Sequence, residues 1–88
     1  MDFVEVNSRV KIIARFDCSS DISKNLLPIK MFYNGREIIF NKLGLYHPTV
    51  VGKKMIHVFD MSDGSSDYRI EFDAERLIWK LISIMSCH

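Results

Sequence analysis

Ile29-Lys30-Met31-Phe32-Tyr33-Asn34-Gly35-Arg36-Glu37-Ile38-Ile39-Phe40 is the stretch that decides the fold. Asn-Gly lies between two runs of apolar and aromatic residues. It accepts the positive φ required at both central positions of a type I′ turn, whose twist matches that of paired strands. The stretch therefore reads as a β-hairpin. A two-residue loop also sets the register, so Tyr33 faces Arg36, Met31 faces Ile38 and Ile29 faces Phe40. One face of the hairpin is then almost wholly apolar, and the other carries Lys30, Phe32, Glu37 and Ile39.

On the N-terminal side, Arg9 to Asp17 alternates. Val10, Ile12, Ala14 and Phe16 fall on one side and Arg9, Lys11, Arg15 and Asp17 on the other, with Ile13 as the one violation. A period of two marks a strand with one wet face. Cys18 to Asn25 reads as a loop with room for one helical turn near Ser20 to Asn25, which Pro28 ends. On the C-terminal side, Gly44, Pro48 and Gly52 mark Leu43 to Lys53 as a long apolar connection. Such a connection folds over the sheet or meets a partner.

Lys54 to Met61 is a further strand, and Ser62 to Asp67 a turn. Tyr68 to Phe72 alternates with Tyr68, Ile70 and Phe72 inward. After a tight return at Asp73 to Arg76, Leu77 to Ile84 closes the chain with Leu77, Trp79 and Leu81 on one face. A helix from Ala74 to Ile84 is the rival, but the β-branched isoleucines favour a strand. The expected fold is all-β: about six antiparallel strands in a meander, forming a rolled sheet or small open barrel. The 88 residues make one domain, 1–88.

The composition narrows function mainly by exclusion. An apolar fraction of 48% and an aromatic fraction of 11% build a core and rule out a disordered chain. Lys plus Arg number 12 against 11 Asp plus Glu, so no global field steers the protein toward phosphate or anionic lipid. The two cysteines, Cys18 and Cys87, with five methionines and no secretory pattern at the start, predict free thiols in the cytoplasm. No apolar stretch reaches the length of a membrane span.

Motifs for catalysis are wanting. There is no nucleophile elbow and no Gly-rich phosphate loop. Cys18 lies beside Asp17, which would raise a thiol pKa rather than lower it. His47, His57 and His88 do not fall at zinc-ligand spacing, apart from the adjacent pair Cys87-His88. Asp60, Asp63 and Asp67 do not have EF-hand spacing, and turn chemistry explains them. No cofactor is expected.

From Pro28 onward the order of features resembles a group of small uncharacterised bacterial all-β domains. The resemblance rests on Tyr33-Asn34-Gly35-Arg36-Glu37, the loop with His47, His57-Val58-Phe59, Tyr68 to Asp73, and the terminal strand with Trp79-Lys80-Leu81. It spans Pro28 to Ile82 and implies a bacterial β domain, with no activity to carry over.

The leading expectation is a non-catalytic binding or interaction module. Its contact surface is the apolar segment Leu43 to Val51 with the outer face of the Asn34-Gly35 hairpin. Lys30, Phe32, Leu45, Tyr46 and His47 are its candidate binding residues. The partner is a protein, or a second copy of the chain. A single-stranded nucleic-acid binder using Lys30 and Phe32 is one alternative, set back by the absence of basic excess. A ligand or enzymatic pocket inside the roll, with His57, Asp60 or Tyr groups, is the other.

Overall fold

A computed structural model describes residues 2–16 and 26–86. The Ser20 to Asn25 turn, Cys18 and Cys87-His88 lie outside those residues. Asn34 (φ 53°) and Gly35 (φ 72°) both take the left-handed conformation, as a type I′ turn requires. They join β3 (Leu26–Tyr33) to β4 (Arg36–Ile39). Tyr33 pairs with Arg36 and Met31 with Ile38, and the Phe40 amide donates to the Ile29 carbonyl at 2.9 Å.

The run Arg9 to Phe16 is divided between two strands. β1 (Asp2–Arg9) ends as Val10 turns the chain away, and β2 (Lys11–Phe16) begins in another sheet. The Val10 amide donates to the Trp79 carbonyl at 3.1 Å, which fixes the corner. Ile12 and Ala14 keep the expected alternation, but Phe16, grouped with them in the sequence, is exposed at the end of β2; the register shift between Ile13 and Ala14 places its extra residue, Ile29, on β3.

Among the described residues eight strands form where about six were expected. The segment Leu43 to Lys53 is the main correction. It is β5 (Lys42–Val51), paired along its length with β6 (Lys54–Ser62) through a two-residue turn at Gly52-Lys53. Gly52 takes φ 66° at the first central position, the place where a type II′ turn needs glycine. Pro48 is compatible with a strand here because β5 is an edge.

β7 (Ser66–Asp73) and β8 (Ile78–Ser86) complete the chain. Leu77 is not the first inward residue of β8. It closes the turn in the left-handed conformation, φ 58°, and is exposed. The Asp73 carboxylate, accepting from the amides of Glu75 and Arg76, organises that turn.

All pairings are antiparallel, and neither sheet closes into a barrel. A five-stranded sheet has the order β1-β8-β7-β6-β5, and a three-stranded sheet the order β2-β3-β4. One core joins them. Met31, Ile38 and Phe40 from the smaller sheet and its exit meet Phe59, Met61, Tyr68, Ile70 and Leu81 from the larger one. Each such side chain contributes about 1.5–3 kcal/mol relative to exposure. Among the described residues, no helix is long and apolar enough to cross a membrane.

Candidate binding groove

The inner face of the five-stranded sheet is consumed by the core, so the outer face is where its chemistry can be met. Cross-strand pairing arranges that face in transverse rows. One row runs Phe3, Met85, Asp67, Ser62, Lys42 from β1 to β5. The next runs Glu5, Ser83, Arg69, Asp60, Leu45. Together they line a groove of ≈ 670 Å³ that takes residues from all five strands.

A single groove reaches both edge strands because the sheet is bowed, and bulges bow it. The five-stranded sheet has register shifts between Glu5 and Ser8 on β1, between Leu43 and Leu45 on β5, and opposite Arg69 and Ile70 on β8. The residues without a register partner at these shifts are Val6, Asn7, Gly44 and Ile82; Val6 packs against the core and the other three line the groove. Asn7 takes φ 50°, a conformation asparagine tolerates better than most residues. At Gly44 a Cβ would stand 3.3 Å from the Asp60 carbonyl oxygen, so the close approach of β5 to β6 favours glycine there.

Arg69 and Asp60 occupy the middle of the groove as a fork. Arg69 Nε donates to Asp60 Oδ1 at 2.9 Å and Nη2 to Oδ2 at 3.1 Å. The hydrogen bonds from Arg69, then the Asp60 charge, push the guanidinium pKa up further. Beside it Ser83 is the buried polar residue of the sheet, 8% exposed. Phe3 and Leu45, at the two ends, are more than half exposed.

The five residues singled out in the sequence do not converge. Lys30 and Phe32 share the outer face of the three-stranded sheet, where Lys30 Nζ pairs with Glu37 at 3.1 Å and the Lys11 ammonium lies 5.3 Å from the Phe32 ring centre. Leu45 enters the groove. His47 pairs with Val58, on the same outer face but in the row beyond the groove. Tyr46 points the other way, into the core. Its ring lies 5.0 Å from Phe59 and its hydroxyl 2.7 Å from His57 Nδ1.

His57 and Asp60 also part company. His57 faces inward beside Phe72, whereas Asp60 faces the groove. Phe72 in turn packs against Trp79 at 4.5 Å, so Tyr46, Phe59, Trp79 and Phe72 form one interlocked aromatic cluster on the inner face. The turn carboxylate Asp63 is committed to the amides of Ser65 and Ser66 and to the Tyr68 hydroxyl. Among the described residues, no group of three or more His, Cys, Asp or Glu is placed to hold a metal ion.

The residues that sequence reasoning missed are Phe3, Glu5, Asn7, Gly44 and Ser83. Their common property is position on one face of one sheet, and that follows from pairing between strands distant in sequence. The one local signal was Gly44, a glycine amid an apolar strand-like run, which is a mark of a bulge. Comparison of the chain with protein-family models, with curated proteins and with solved structures found no match.

Proposed function

We propose that this protein is a non-catalytic binding module, and that the bowed outer face of its five-stranded sheet is the contact surface for a protein partner. The observation that carries this reading is the convergence of three bulges on one groove. A bulge interrupts the ladder and leaves a residue unpaired, and bulges concentrate where a side chain must be re-aimed or a site built. Three serving the same concavity mark it as a shaped feature. Its mixture of exposed apolar residues on both edge strands and a few polar groups between them is what a recognition site needs.

Nucleic acid is the second reading, and the smaller sheet is its place. Lys11 already covers the Phe32 ring on which a base would stack, and Lys30 is held by Glu37. Those contacts favour the protein-partner reading. A cytoplasmic setting accords with only two cysteines in 88 residues, too few for a disulfide-dense framework.

Backbone amide shift mapping with a library of uncharged fragments tests the reading. Shifts clustering on Phe3, Leu45, Arg69 and Ser83 are expected. Hits scattered over the surface, or confined to the three-stranded sheet, would overturn it. Salt-dependent binding of oligo-dT at Phe32 would establish the second reading in its place.

A further inference from the structure

Ser83 narrows what the groove takes, and the following rests on the groove being the binding site. Ser83 is 8% exposed, lies between Glu5 and Arg69 in its row, and has no hydrogen-bond partner for its hydroxyl among the described residues. No side-chain nitrogen or oxygen among those residues is sealed off without a partner. The Ser83 hydroxyl therefore opens onto the groove it lines.

Arg69, directly across the ladder from Ser83, offers more donors. A guanidinium has five N–H groups. Two of them go to Asp60, and the other three have no partner among the described residues. Uncommitted N–H and O–H groups side by side call for an acceptor oxygen. A charged acceptor is disfavoured, because Glu5, Asp60 and Asp67 line the same groove against only Lys42 and Arg69. What remains is a neutral carbonyl.

The length of the groove says which carbonyl. It crosses five strands, four spacings of about 4.8 Å, or about 19 Å in all. That matches about six residues of extended chain. Each end sets an exposed apolar side chain beside a charged one, Phe3 (58% exposed) beside Glu5 and Leu45 (53% exposed) beside Lys42. We infer that the groove takes an extended, uncharged polypeptide segment. Arg69 and Ser83 donate to one of its backbone carbonyls, and its apolar side chains cover Phe3 and Leu45.

Panning a phage-displayed random heptapeptide library on the whole immobilised chain tests this. Enriched sequences should be rich in apolar residues and depleted of Asp and Glu. Their synthetic, end-capped versions should shift the Ser83 and Leu45 amides. Ser83→Val and Arg69→Gln should each weaken them about tenfold, the loss of one hydrogen bond to a charged or buried partner. Leu45→Glu, at an exposed position that folding does not depend on, should abolish binding.

Sequences dominated by acidic residues would overturn the inference, as would affinities unchanged in Ser83→Val and Leu45→Glu. No enrichment, with fragments still mapping to the groove, would overturn the peptide assignment and leave the binding reading intact. Failure of peptides and fragments alike would remove both.

Discussion

Arg69 grips Asp60 side-on across the β6–β7 ladder, with Nε on one carboxylate oxygen at 2.9 Å and Nη2 on the other at 3.1 Å. The two residues are direct cross-strand partners, so the strand register brings them together and the planar fork does the rest. Lysine cannot reproduce two parallel donors. Both side chains are partly exposed, which keeps the energetic effect small. Arg69→Lys should lower stability by about 0.5–1 kcal/mol in urea unfolding, while its salt dependence rises as a fork becomes a point charge.

Met31 joins the two sheets. It has no exposed surface and sits in one cluster with Phe59 and Ile70 of the larger sheet. Met31→Ala removes that bridge and leaves a cavity where little can collapse. A loss of about 2–5 kcal/mol is expected, against a total of about 5–15 kcal/mol for a small domain. Chemical denaturation at constant m-value is the check, and a loss under about 1 kcal/mol would contradict the core assignment.

Tyr46 and His57 pack as stacked rings with centroids 6.0 Å apart, tied by the 2.7 Å contact between hydroxyl and Nδ1. Burial pushes the Tyr46 phenol pKa up, so it stays protonated and donates when His57 carries its proton on Nε2. Tyr46→Phe keeps the ring and removes the donor, and should cost about 1 kcal/mol. In a double-mutant cycle, adding His57→Phe should cost less in the Tyr46→Phe background than in the parent. Additive losses would show that the hydroxyl contact contributes nothing.

Asp63 makes stability depend on acid. Burial alone would raise its pKa, but the amides of Ser65 and Ser66 and the hydroxyls of Tyr68 and Ser65 outweigh it and hold the carboxyl below its usual value. Asp73 is shifted the same way, chiefly by the Lys54 hydrogen bond and also by the Arg76 and Glu75 amides. A carboxyl whose folded pKa is depressed stabilises fully above the unfolded value of about 3.9. That stability is lost as pH falls through the folded value. Urea midpoints should therefore drop between about pH 5 and pH 2. Asp63→Asn should be less stable at pH 7 and show a shallower acid limb, with the share due to Asp73 still present. An acid limb unchanged in Asp63→Asn would place the dependence elsewhere.

The hairpin at Asn34-Gly35, the inward set Tyr68 and Ile70, and the all-β class were determined by the sequence itself, because period and turn chemistry act between near neighbours. The same local rules misled at Phe16 and Leu77, the first exposed at the end of its strand and the second a left-handed turn residue. They also hid β5, since Gly44, Pro48 and Gly52 read as loop punctuation until a bulge, an edge and a type II′ turn account for them. Of the candidate binding residues, only Leu45 reaches the groove. Tertiary structure alone decided that the strands divide into two sheets at Val10 and Phe40, and that Glu5, Ser83, Arg69 and Asp60 stand in one row. Long-range pairing sets which strands are neighbours, and nothing in the period of a single strand encodes which other strand will lie beside it.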